Sequence, residues 1–490
     1  MRGRALADAG WAVLLLGAWG ACMTSGGLGD DAANPATPRT ATDGLAAGAN
    51  QAAGGGTPVA NGPAGGAGDG NAGGAAATPL DANWLYENKL PWALVGRFDL
   101  TDANAPRFAL PNSRIGLRFT GTSLAVQLSD TGSDAFDVSI DGVDYQVPSA
   151  SWFGSPAGTQ GPCIPALTPA SNDYNRPGCL LLPKSSNASQ PTTFPVATGL
   201  AAGEHTAWLT KRTEFAQGTV GIVRFFGVTL DAGASLLPPP PYRRRRIEVV
   251  GDSSTSGYGA AQADACSYSE RNANGNIAFA GALANYLRAE VVNVSSSGQG
   301  VYYSMYDQTQ ALLLPLIYRR QMPRESKPYD FGDQVDVIVL SAGGDDLWGA
   351  SGSGNFKNPS SQDTSDARAN FVAAYTNWLA ELRGLRKDAS IICMLPYKAV
   401  KNDQTLLGGA IQEAVAARNQ AGDVNVRYFA FFPQPNPRGG EPYKNFFDAR
   451  TGEKFYDGCH GHASPPESQW LAALVGPVAA EMRGWTDAGR

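Results

Sequence analysis

The sequence predicts two folded parts of different class in one chain, an all-β sandwich of jelly-roll type followed by an α/β domain built on a parallel sheet. Before the proline run 238–241, short strand-like stretches are separated by turn residues, with no long helix between them. After it, strand-like and helix-like stretches alternate, the pattern of a parallel sheet covered on both faces. The first of the later strands, residues 247–250, runs straight into Gly251-Asp252-Ser253 and a glycine-rich turn. That is how a serine hydroxyl is presented at the end of a parallel strand.

Residues 1–21 carry Arg2 and Arg4, a short apolar stretch from Trp11 to Trp19, and then Gly20-Ala21 before Cys22. The apolar stretch is too short to cross a bilayer and reads as a secretory signal. Small residues directly before a cysteine resemble a bacterial lipoprotein processing site, with Cys22 bearing the lipid. The expected location is therefore the bacterial surface or periplasm, or the medium if the chain is released. Residues 22–82 are dominated by Gly, Ala, Asn, Asp, Thr and Pro. They offer too few large apolar groups to offset the entropy of ordering, so a disordered tether is expected.

Residues 83–237 form the expected β domain, with strands at 94–100, 115–119, 124–128, 136–140, 205–209 and 220–230. Asp137-Val138-Ser139-Ile140-Asp141-Gly142 shows the alternation of a half-buried strand running into a tight turn. Residues 149–191, rich in Pro, Asn and Ser, read as a long surface loop. Residues 238–245 are the linker, and the basic run 243–246 reads as its solvated end. Residues 246–490 supply strands at 247–250, 291–294, 335–341, 391–395 and 426–432. Helices are expected at 278–289, 365–385, 410–421 and 468–483.

Three small-residue segments fall at strand ends: Gly251-Asp252-Ser253, then 293–300 with Gly298, then Ser341-Ala342-Gly343-Gly344-Asp345-Asp346. Such segments let backbone N–H groups approach a substrate oxygen. Ser253 is the candidate nucleophile and needs a base. Of the three histidines, His205 lies on a β-domain strand, whereas His460 and His462 stand together just before the last helix. Nothing else completes a metal site around that pair, so no metal and no cofactor are expected. Export places Cys163, Cys179, Cys266 and Cys459 where disulfides form, while Cys393, in an apolar run, reads as a buried thiol.

Residues 246–260, RIEVVGDSSTSGYGA, resemble the first block of SGNH (GDSL-type) hydrolases, and more narrowly carbohydrate esterase family 2. LTKRTEFAQGTVGIVRFFGVTLD in the β domain and SSSGQGVYYS and DGCHGHASPPESQ in the second continue the likeness in order. The resemblance implies a jelly-roll joined to a flavodoxin-like SGNH domain, a serine esterase that removes acetyl groups from xylan or other hemicelluloses through an acyl-enzyme. It implies oxyanion donors at the N–H groups of Ser253 and Gly298. The family's third donor is an Asn in a Gly-x-Asn-Asp block, where this chain has Asp345; an ionised carboxylate donates no hydrogen bond and repels an oxyanion. Aligned without gaps, the family pattern Gly-Cys-Asp-x-His-Pro makes His462 the base, with His460 in the place of the supporting Asp. The general pattern Asp-x-x-His instead fits Asp457 and His460, and Asp457 is also a substitute partner for His462.

Tyr258, Tyr302, Tyr303 and Trp348 are candidates for a sugar platform. The formal charge of −6 gives no drive toward nucleic acid or anionic lipid. The expected partner is an acetylated polysaccharide or oligosaccharide met by a monomer, with membrane contact only through a lipid at Cys22. A second reading is a carbohydrate-binding surface lipoprotein whose catalysis is impaired by Asp345.

Overall fold

The computed structural model describes residues 90–144, 179–215, 221–261, 270, 272–304, 312–348, 364–396, 401–430, 446–447, 454–455 and 462–487. The expected leader, tether, Cys22, Asp457 and His460 lie outside these residues. The first part contains β1 (Ala93–Val95), β2 (Arg107–Phe108), β3 (Arg114–Gly121), β4 (Leu124–Asp130), β5 (Ala135–Ile140) and β6 (Val143–Asp144). It continues with β7 (Cys179–Leu181), β8 (Thr192–Ala197), β9 (Gly203–Lys211), β10 (Val223–Leu230) and β11 (Leu236–Leu237). They make two antiparallel sheets, β1-β3-β9-β5-β6 with β11 on β3 and β7 on β5, and β2-β10-β4-β8. Alternate residues of both sheets, among them Ile115, Leu117, Phe119, Val126, Leu128, Phe136 and Phe225, meet in one apolar core. The period-two alternation legible in β3, β5 and β9 therefore faces a second sheet rather than solvent.

The described residues correct two expectations. Cys179–Leu181 is a buried strand paired with β5, not surface loop, because an apolar Cys-Leu-Leu stretch follows a Pro- and Asn-rich one. Cys179 is disulfide-bonded, and the other cysteines besides Cys393 lie outside the described residues. The basic run is solvated only in its first half, where Arg243 and Arg244 are exposed. Arg245 and Arg246 begin a central strand, the Arg245 guanidinium donates to Leu287 O, and Arg246 is 8% exposed.

The second part runs β12 (Arg245–Gly251), α1 (Ser253–Ser256), α2 (Phe279–Leu287), β13 (Ala289–Ser295), α3 (Leu314–Tyr318), β14 (Val337–Ser341) and α4 (Gly344–Trp348). It goes on with α5 (Thr364–Leu385), β15 (Ser390–Met394), α6 (Lys401–Gln420), β16 (Val426–Phe429), β17 (Phe446–Phe447), β18 (Lys454–Phe455) and α7 (Pro465–Arg483). Five of these strands form a wholly parallel sheet in the order β13-β12-β14-β15-β16. Relabelled within the domain this is 2-1-3-4-5, the flavodoxin-like order, whose crevice opens beyond the carboxyl end of the first strand. Both faces of β12, β13, β14 and β15 are buried, which explains their near-continuous apolar runs.

The two parts share a sealed seam. Ala109, Leu110 and Phe215 of the first part belong to the apolar core of the second. Arg97 reaches Glu248 on β12, its Nη2 3.7 Å from Oε1, and Arg386 pairs with the same oxygen at 2.7 Å. Arg97 also stacks over Tyr329 and donates to Tyr318 O, and Tyr318 donates its hydroxyl to Glu248. All three charged groups are nearly or fully buried, so each is tolerable only because the others are present.

Candidate active site

Register brings the three small-residue segments together: Gly251, the last residue of β12, is paired with Ser295 on one side and Ser341 on the other. Ser296 N–H donates to Gly251 O at 3.1 Å, so the loop after β13 starts beside the nucleophile turn. Asp252 is extended and caps α1, its carboxylate accepting Ser254 N–H at 3.0 Å. This one-turn helix holds Ser253 half-buried at the crevice. It ends because Gly257 takes φ 86°.

His462 Nε2 lies 2.7 Å from Ser253 Oγ. The imidazole is 6% exposed and stacked on Tyr258, with ring centroids 4.4 Å apart and planes 29° from parallel. Two residues later Ser464 caps α7, and the Glu467 carboxylate accepts both the N–H and the hydroxyl of Ser464, at 2.8 and 2.9 Å. The nearby helix start therefore fixes the direction from which His462 approaches. One face of Tyr258 is thus committed to the imidazole. Tyr302, in the segment after β13, is 40% exposed, and Trp348 is the last residue of α4.

Gly298 adopts φ 75°, a left-handed conformation that suits glycine. The loop that follows it is gripped by Asp346, whose carboxylate accepts the N–H groups of Val301, Tyr302 and Tyr303 at 2.8, 2.7 and 2.7 Å. Burial pushes Asp346 up to about 6 against the downward pull of those three bonds. Gly300 has to be glycine for this grip, since a Cβ there would stand 2.3 Å from the carboxylate. Asp345, half-buried, sits in the first turn of α4, and its neighbour Gly344 packs beside the Asp252 carboxylate.

Two carboxylates next to the site were not singled out by sequence reasoning: Asp346 as a loop clamp, and Glu214, from the sandwich, which accepts from Ser297. His205 pairs instead with Asp141 and Ala201 O, away from Ser253. No group of metal-ligating side chains occurs among the described residues, and none of their helices is long and apolar enough to cross a membrane.

A parallel 2-1-3-4-5 sheet with a serine at the end of its first strand, in contact with a histidine just before the last helix, defines the GDSL-like class of hydrolases. Residues 247–472 match the family described as GDSL-like Lipase/Acylhydrolase, and residues 94–151 match Carbohydrate esterase 2 N-terminal. The chain belongs to carbohydrate esterase family 2 of the SGNH superfamily.

It is 28% identical over 347 residues to Cellulase/esterase CelE of Acetivibrio thermocellus, covering 70% of this chain and 36% of that protein. The chain thus spans about a third of that relative. It is 29% identical to Acetylxylan esterase / glucomannan deacetylase of Cellvibrio japonicus, over 58% of this chain and 70% of the other. A family two carbohydrate esterase from Clostridium thermocellum, solved in complex with cellohexaose, superposes with TM-score 0.61 and 26% identity over 80% of this chain and 99% of its own. The Cellvibrio japonicus family two structure has TM-score 0.59 at 19% identity, over 81% and 96% of the two chains, a likeness of fold.

Proposed function

We propose that the chain is a carbohydrate O-acetyl esterase acting on an acetylated hemicellulose or its oligosaccharides. The reading rests on the 2.7 Å contact between His462 Nε2 and Ser253 Oγ at the mouth of the crevice. With the ring proton on Nδ1, Nε2 takes the proton from Ser253 Oγ as that oxygen attacks the acetyl carbonyl. The N–H groups of Ser253 and Gly298 hold the oxyanion. His462 then delivers the proton to the sugar oxygen as the ester bond breaks, leaving acetyl-Ser253 and the free hydroxyl. Water adds to the acyl-enzyme, its proton passing through His462 back to Ser253, and acetate departs. The family likeness to an acetylxylan esterase / glucomannan deacetylase supports the substrate class. We read the sandwich as the family's jelly-roll and the chain as an exported protein, lipidated at Cys22 or released.

Acetate release from acetylated xylan and glucomannan, and turnover of a chromogenic acetate, test this. Ser253→Ala should lower turnover by more than about 10⁴-fold. Equal turnover by wild type and variant would refute the assignment. His462→Ala should be similarly damaging and His460→Ala mild; the reverse would transfer the base to His460. Asp345 carries the second reading, a glycan-binding protein of weakened catalysis. Asp345→Asn raising kcat toward the about 10²-fold worth of one oxyanion donor would mean that the carboxylate restrains an intact esterase. Glycan binding without turnover in both forms would favour the second reading.

A further inference from the structure

Glu214 lies just beyond β9 of the sandwich, yet its carboxylate is built into the other part of the chain. Oε2 accepts the N–H of Ser297 at 2.7 Å and Oε1 accepts its hydroxyl at 2.5 Å. Ser256, the last residue of α1, lies beside the same carboxylate and donates its hydroxyl to Ser253 O at 3.1 Å. All three residues are at most 2% exposed. One sandwich side chain therefore holds the loop that carries Gly298, next to the turn that carries Ser253. Holding both the amide and the hydroxyl of Ser297 fixes that residue's orientation, and with it the next peptide, whose N–H belongs to Gly298.

The support behind Glu214 is equally rigid. Lys211 Nζ donates to Thr213 O at 2.6 Å and pairs with Asp134 at 2.7 Å. Arg212 O accepts Gly275 N–H at 2.8 Å, and Phe215 is buried in the α/β core. The carboxylate is thus anchored on both sides along its own chain.

We propose that Glu214 is a positioning residue that holds the Gly298 N–H in place for the oxyanion opposite Ser253, so that the β-sandwich completes the reaction site. This rests on the esterase reading above and assigns the sandwich its part in it. A carboxylate that only welded the two parts together would change stability when removed and leave kcat of the folded protein untouched.

The test uses the full chain. Glu214→Ala should lower kcat for a chromogenic acetate by about tenfold to a hundredfold at nearly constant KM, the effect of a misplaced donor. Amide exchange at Ser297 and Gly298 should accelerate at least about tenfold while β12 and β13 keep their protection. Glu214→Gln can still accept from Ser297 N–H and donate to its hydroxyl, and should keep kcat within about threefold of wild type. An unchanged kcat in folded Glu214→Ala, unchanged exchange at Ser297 and Gly298, or a Gln variant as slow as the Ala variant would each overturn the proposal. If Glu214→Ala does not fold, Ser297→Ala, which removes only the hydroxyl contact, should still lower kcat about threefold or more, and no loss would count against the proposal. Should wild type release no acetate, the esterase reading fails by itself, and the exchange measurement still decides whether Glu214 orders the loop.

Discussion

The imidazole of His462 is held edge-on by Ser253 and face-on by Tyr258. An aromatic contact of this kind is worth about 1 kcal/mol, which converts to a several-fold effect on rate if it aims the ring. Tyr258→Phe should keep kcat within about twofold, whereas Tyr258→Ala should lower it about fivefold to tenfold at similar KM. A loss in KM alone would instead assign the tyrosine to the sugar. Ser253 was legible in the sequence because the strand, the Gly-Asp-Ser turn and the glycines that follow are contiguous. The contact of His462 with Ser253 was foreseeable because its block aligns without gaps. Glu214 was not, because its partner Ser297 lies 83 residues on and in a fold of another class. No local pattern marks such a pair.

Among the elements, the start of α7 and the loop after Gly298 bear most directly on the site. Removing the cap with Glu467→Ala should cost about 1 kcal/mol in urea unfolding and lower kcat by loosening the approach of His462. An unchanged kcat would show that the cap serves the helix alone. The clamp by Asp346 carries a pH signature. Its carboxyl rises from 3.8 to about 6 in the fold, so the folded state binds that proton more tightly than the unfolded one. Its contribution is full below about pH 4 and is lost as the pH rises through 6, by an amount on the order of 3 kcal/mol. The stability of wild type relative to Asp346→Asn should therefore decline over that interval, and a difference independent of pH would contradict the clamp's titration. Sequence periodicity revealed the long strands and the alternation of the second part, while β8 escaped it because Pro195 interrupts the run. That proline is accommodated because β8 is an edge strand with a free side. Strands of two or three residues, such as β2 and β11, carry too little pattern to be read at all.

Across the whole molecule, the seam decides how the chain unfolds. Glu248→Ala would leave Arg97 and Arg386 buried without their shared carboxylate, a loss of about 3–5 kcal/mol against a total stability of about 5–15 kcal/mol. Calorimetry should show one transition for both parts in wild type, and its midpoint should fall steeply in this variant. Two separate transitions would mean that the seam does not couple them. Nothing in the sequence announced this, because a lone Glu in a strand and two distant arginines look like ordinary surface charges until the fold buries them together. The same seam bears on how such a chain can be inherited. The proline run 238–241 looks like a natural place for recombination to join a new partner to either part, but a crossover there would separate Arg97 from Glu248 and Glu214 from Ser297 in a single event. The sandwich would lose the partners of Arg97 and Glu214, and Glu248 would keep only Arg386, so lineages carrying this α/β domain should exchange it only together with its sandwich.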